Sequence, residues 1–88
     1  MNKQRRKDID VIIQNLKNAQ SFLDDALSDA NNIRDEEQEY YDNMPENMQN
    51  GEKGEIAQVA VDNLYEVVSA LEDLDIDDLI SKLEEAQS

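Results

Sequence analysis

The sequence predicts an all-α protein, an antiparallel helical hairpin of the coiled-coil type that ends in a short third helix. The chain has 88 residues with only two glycines and one proline, and 34% of its residues are charged, a composition typical of helical proteins. Apolar residues recur at heptad spacing along two separate stretches, the sequence signature of amphipathic helices. A chain of this length forms at most one small domain.

The first helix is predicted over residues 8–43, with Asp8 as its N-cap and with residues 1–7 as a basic, flexible N-terminus. A helix of this length extends roughly 50 Å at 1.5 Å per residue, so it needs a long partner helix to cover its apolar stripe. That stripe follows a seven-residue repeat, whose equivalent positions are Ile9, Leu16, Leu23, Ala30, Glu37 and Met44.

A connection is predicted over residues 44–54. Asn43 and Glu46 have the spacing of a capping pair around Pro45, and the dipeptide Asn50-Gly51 is a strong turn signal. We expect Gly51 to stop the preceding turn in a left-handed conformation. A connection of about ten residues is long enough for an antiparallel return.

The second helix is predicted over residues 55–74 and has two apolar strips. We expect the first strip to pack on the first helix; it comprises Ile56, Val59 with Ala60, Asn63 with Leu64, Val67, Ala70 with Leu71, and Leu74. The second strip comprises Val61, Tyr65 and Val68. Because a two-helix hairpin buries little apolar area, we expect this second strip to bind another copy of the chain and form a homodimeric helix bundle.

The apolar repeat shifts phase after Leu74, which predicts a break and a third helix over residues 76–86. Asp75 is positioned to cap this helix. We expect the third helix to pack against the N-terminal half of the first, which is its more apolar half.

The charge distribution excludes several classes of function. The net charge is −14, and the chain contains no cysteine and no histidine. An acidic surface repels nucleic acid and anionic lipid and attracts basic partners, so we expect neither direct nucleic-acid binding nor membrane binding. No signal peptide or apolar span is recognisable, which favours the cytoplasm. No catalytic, metal or cofactor motif is present, and a run of aspartates near residue 75 that imitates a calcium loop is better explained by helix capping.

The C-terminal end of the first helix is the candidate partner-binding surface. There, acidic side chains accompany two tyrosines, and Arg34 is expected to pair with Glu37. The candidate residues are Glu36, Glu37, Glu39, Tyr40, Tyr41 and Asp42. One alternative is an oligomer that binds a nucleotide signal between its subunits, with Tyr40 or Tyr41 stacked on a base and with Arg34 or the N-terminal basic residues on a phosphate. A second alternative is a protein of virion assembly.

Residues 39–55 form the part of the sequence that resembles known proteins most specifically. The run contains Asn43-Met44-Pro45-Glu46-Asn47 and Gly51-Glu52-Lys53-Gly54, followed by an acidic helix rich in alanine, valine and leucine. It resembles the middle of small acidic helical accessory proteins of tailed bacteriophages and prophages. The resemblance implies a setting in the bacterial host cytoplasm and a non-enzymatic protein that inhibits or sequesters a host factor, for example one of host defence.

Overall fold

The computed structural model describes Met1–Ser88 and consists of helices without any β-strand, which confirms the predicted all-α class. Four helices follow one another along the chain: α1 (Lys3–Asp42), α2 (Glu46–Gln49), α3 (Glu52–Asp73) and α4 (Ile76–Gln87). The break predicted by the phase shift lies between Asp73 and Ile76. The chain forms two compact units, one of residues 1–25 with 74–88 and one of residues 26–73.

The helix α1 begins at Lys3, five residues before the predicted start, so most of the expected flexible N-terminus is helical. The cap is Asn2 rather than Asp8, because the Asn2 Oδ1 atom accepts a hydrogen bond from the Arg5 backbone N–H at 2.8 Å. Basic residues in a first helical turn oppose the helix dipole. The Asn2 cap satisfies one of the amide groups that this turn leaves free.

The connection between α1 and α3 differs from the prediction in two ways. Asn43 does not cap α2, whose N-cap is Pro45 and lacks a side-chain hydrogen bond. No glycine in the chain has a positive φ, so Gly51 is not a left-handed stop. The side chain of Gln49 instead donates a hydrogen bond of 2.9 Å to the Tyr41 carbonyl oxygen, which joins α2 to the last turn of α1.

Gly54 is the residue on which the contact between α2 and α3 depends. It is buried, and a Cβ atom built on it would lie 2.5 Å from the Gln49 Cα atom. Only glycine therefore permits this approach. Gly54 lies on the buried face of α3, since the residues three, seven and fourteen positions after it share that face and are also buried: Ala57, Val61 and Val68.

In the first unit, α4 runs antiparallel to the N-terminal part of α1. The Gln20 Nε2 atom donates to the Asp77 Oδ1 atom at 2.7 Å near the start of α4, and Gln87 Nε2 donates to the Arg6 carbonyl oxygen at 2.9 Å near its end. Ile13 of α1 and Ile80 of α4 are buried. This placement of the third predicted helix agrees with the expectation from the sequence.

In the second unit, α3 pairs with residues 26–42 of α1. The face that it uses includes two residues that we expected to bind a second copy of the chain. Val61 and Val68 are 7% and 4% exposed, so they belong to the core of the chain and are not free to bind a second copy. Ile56 and Val67, which we expected to face α1, are 62% and 48% exposed. The buried face of α3 therefore takes residues from both strips, because Tyr65 of the second strip is 62% exposed and Leu64 of the first is half-buried.

Candidate functional site

The structure places all six candidate partner-binding residues in the last two turns of α1 and divides them between two faces. Glu37 and Tyr41 are half-buried, because they continue the line of residues that faces α3. The other four are exposed and form what we call the acidic end of α1: Glu36, Glu39, Tyr40 and Asp42.

Few of the carboxylates in the chain have a cationic partner. The chain contains 22 acidic residues and only two ion pairs, one between Arg34 and Asp35 at 3.2 Å and one between Lys82 and Asp78 at 2.9 Å. The predicted pairing of Arg34 with Glu37 is wrong, because the guanidinium contacts the neighbouring Asp35 instead. The acidic end of α1 therefore presents its negative charge unneutralised.

Hydrogen bonding at the acidic end of α1 leaves its charge unchanged. The only side-chain bond to these carboxylates runs from the Gln38 Nε2 atom to the Asp42 Oδ1 atom, at 2.9 Å. A neutral amide donor orients a carboxylate without cancelling its charge. Glu36 and Glu39 make no side-chain hydrogen bond, so their carboxylates are open to a cationic group from outside the chain.

The negative charge is concentrated in the second unit. Residues 26–73 include 13 acidic and two basic residues, a net charge of −11, whereas the first unit has a net charge of −3. The acidic end of α1 lies within the more strongly charged unit. A cationic ligand is thus attracted first to this part of the molecule.

The guanidinium group of Arg34 lies against an aromatic ring of α3. Its guanidinium carbon lies 5.5 Å from the centroid of the Tyr65 ring, a cation–π geometry, and not beside Tyr40 or Tyr41. The adjacent pocket has a volume of about 110 Å³, with Val68, Ser69 and Glu72 completing its lining. Sites for small organic ligands occupy roughly 300–1,000 Å³, so this pocket is too small for a nucleotide.

The aspartates around residue 75 act in local structure. The Asp75 Oδ1 atom accepts from the Asp78 backbone N–H at 3.0 Å and caps α4, as the sequence predicts. The carboxylate of Asp78 accepts a hydrogen bond from Lys82 and attracts its charge, which together raise the pKa of the Lys82 ammonium above its ordinary value. No group of three or more acidic residues in the chain is arranged to hold a metal ion.

The helices also lack the combination of length and apolar character that crossing a membrane requires. No protein-family description, curated protein or solved structure matches this chain. The resemblance to phage accessory proteins therefore stays a prediction.

Proposed function

We propose that this chain is a non-enzymatic interaction protein whose acidic end of α1 binds a basic surface on a partner protein. The observation that supports this most directly is the set of exposed carboxylates without a cationic partner, Glu36, Glu39 and Asp42. Like charges crowded on two helical turns repel one another, and a cationic partner relieves that repulsion.

Tyr40 gives the proposed surface an apolar anchor. Its side chain is 52% exposed among the carboxylates and offers a flat ring to an incoming arginine or lysine. Tyrosine is enriched among the residues that contribute most binding energy at protein interfaces. The surface thus combines charges that increase the association rate with a ring that slows dissociation.

The resemblance to proteins of tailed bacteriophages supplies the setting of the proposal. In that setting the partner is a host protein in the bacterial cytoplasm, and occupation of its basic surface inhibits or sequesters it. A partner whose basic surface normally binds nucleic acid would be blocked by the same electrostatic attraction, since the acidic turns compete with phosphate groups for its lysines and arginines.

An NMR titration with an arginine-rich peptide tests which carboxylates form the site. We expect the largest chemical-shift changes in residues 36–42, and we expect them to decrease as salt is raised because the attraction is screened. The triple variant Glu36→Gln, Glu39→Gln and Asp42→Asn should lose most of the binding. Changes spread evenly along all acidic stretches would contradict a localised site.

A matched control separates the site from total charge. The variant Asp24→Asn, Asp25→Asn and Glu84→Gln also removes three negative charges, but from exposed positions of the first unit. It should bind the peptide nearly as well as the wild-type chain. Any host protein captured from a bacterial lysate should likewise bind this control and not the triple variant at the acidic end of α1.

A further inference from the structure

Asn50 is the one asparagine of the chain that precedes a glycine. Each of the other eight precedes a residue with a side chain, and six of those eight lie within helices. Asn50 lies between the end of α2 and the start of α3, and its side chain is exposed. This arrangement favours cyclisation of the asparagine onto the following backbone, because Gly51 has no Cβ atom to shield its nitrogen.

The reaction needs only the Asn50 side chain, the Gly51 backbone and water. The Gly51 nitrogen loses its proton to base in the solvent and attacks the Asn50 Cγ atom. The bond between Cγ and Nδ2 breaks, and ammonia leaves. Water then opens the resulting succinimide ring at one of its two carbonyl groups, which gives aspartate or isoaspartate at residue 50. No oxidant or reductant takes part in either step.

The folded conformation keeps the two reacting atoms apart. The ψ of Asn50 is −5°, so the Gly51 nitrogen eclipses the backbone nitrogen of Asn50. Closure of the nearly planar succinimide ring requires the Gly51 nitrogen to eclipse the Asn50 Cβ atom instead. The Gly51 N–H also donates a hydrogen bond of 3.1 Å to the Met48 carbonyl oxygen. Rotation about the Cα–C bond of Asn50 therefore has to break this bond before the ring can form.

We propose that Asn50 is a deamidation site that reacts when the turn between α2 and α3 opens. Gln49 and Gly54 lie on either side of the rotating bond, so their close contact has to separate as the ring closes. The rate in the folded chain then follows the population of the open turn, as for other reactions of transiently opened segments. The site lies outside the acidic end of α1, so this proposal and the proposed function can fail independently.

The reaction changes the turn covalently. Both products add a carboxylate to the unit whose net charge is already −11. Isoaspartate also directs the backbone through the former side chain, which lengthens it by one methylene group. The contact between Gln49 and Gly54 leaves no room for a Cβ atom, so a longer backbone between these residues disrupts it.

Peptide mapping by mass spectrometry tests the site. The full chain is kept in mildly alkaline buffer, with and without urea, and digested with trypsin at intervals. Trypsin releases residues 35–53 as one peptide, which contains Asn43, Asn47 and Asn50. Asn50 should convert well before the other two, and at least about tenfold more slowly without urea, the ratio that an opening free energy of about 1.4 kcal/mol gives. Equal conversion of the three asparagines, or equal rates at Asn50 in both buffers, would overturn the proposal.

Two glycine variants separate the chemistry from the opening of the turn. Gly51→Ala places a methyl group beside the attacking nitrogen, so it should slow conversion both in urea and in the folded chain. Gly54→Ala keeps the reacting dipeptide but forces α2 and α3 apart, so it should leave the rate in urea unchanged. In the folded chain it should raise the rate about fivefold or more, the change that about 1 kcal/mol gives. A folded-state rate no higher than that of the wild-type chain would contradict control by this contact.

Comparison of the two products tests the effect on the turn. The isoaspartate form, separated by chromatography from the reacted chain, should unfold at a lower urea concentration than the variant Asn50→Asp. The two differ only in the path of the backbone, because both add the same charge. Equal midpoints of unfolding would overturn the predicted loss of the contact between Gln49 and Gly54.

Discussion

Gly54 lies so close to the backbone of Gln49 that no side chain fits between them. A Cβ atom at residue 54 would be 2.5 Å from both the Gln49 Cα and carbonyl carbon atoms, far inside contact distance. Since both groups belong to the backbone, neither can rotate away as a side chain could. This contact joins α2 to the first turn of α3 and requires glycine at residue 54.

Substitution of Gly54 by alanine should therefore destabilise the chain. The added methyl group forces α2 and α3 apart, and overpacking of this kind costs about 1–3 kcal/mol or more. The measurement is urea denaturation followed by circular dichroism, compared with the wild-type chain.

Gly51→Ala is the matched control for Gly54→Ala. A Cβ atom at residue 51 would meet its nearest neighbour, the Asn47 carbonyl oxygen, at 3.4 Å, an ordinary contact. Because the φ of Gly51 is not positive, alanine fits there and reduces the entropy of the unfolded chain. Its effect should lie between neutral and about 1 kcal/mol of stabilisation. Equal losses in the two variants would show that the close contact at Gly54 is not what matters.

The contrast between these two glycines shows what could be predicted from the sequence. The helical class, the break after Asp73 and the Asp75 cap depend on local periodicity and capping chemistry, and the structure contains all three. Which face of α3 is buried depends on tertiary contacts such as the approach of Gly54 to Gln49, which spacing alone does not reveal. The sequence does contain an indication of the buried face. Small residues occur there at helical spacing, Gly54 and Ala57, and Val61 follows on the same face.

The sequence predicted where the candidate site lies along α1 but not all of its contacts, because some of those contacts depend on tertiary structure. The acidic residues do lie at the end of α1, because helix periodicity extends that far. The inward rotation of Glu37 and Tyr41 follows from the phase of the seam facing α3. Arg34 pairs with Asp35 and lies over Tyr65, contacts that depend on tertiary structure and on rotamer choice.

Replacing Asp75 by alanine should weaken α4 selectively. The Asp75 carboxylate accepts the Asp78 N–H at 3.0 Å, and loss of such a cap costs about 1 kcal/mol, within a range of roughly 0.5–2. Native-state hydrogen exchange should show reduced protection of the α4 amides. Asp75→Asn, which keeps an acceptor oxygen, should change that protection only slightly. Similar losses for alanine and asparagine would argue against capping.

Val68→Ala tests the assignment of Val68 to the core of the chain. The side chain is 4% exposed, and removal of two buried methyl groups at roughly 0.8 kcal/mol each, offset by the better helix propensity of alanine, should cost about 1–2 kcal/mol. Val11→Ala changes a valine that is 60% exposed on α1 and should be neutral or slightly stabilising. If Val68→Ala were as mild as Val11→Ala, Val68 would not be a core residue.

Added salt should stabilise the chain, because its unpaired carboxylates repel one another. The Debye length falls from about 30 Å at 0.01 M to about 8 Å at 0.15 M ionic strength, so repulsion within the unit of net charge −11 is strongly screened over that range. Thermal melts at one fixed chain concentration should show Tm rising with sodium chloride. In the variant with Glu36→Gln, Glu39→Gln and Asp42→Asn, Tm should start higher at low salt and rise less. A wild-type Tm that is independent of salt would mean that the acidic surface costs the fold little, and the partner-binding proposal would lose its energetic basis.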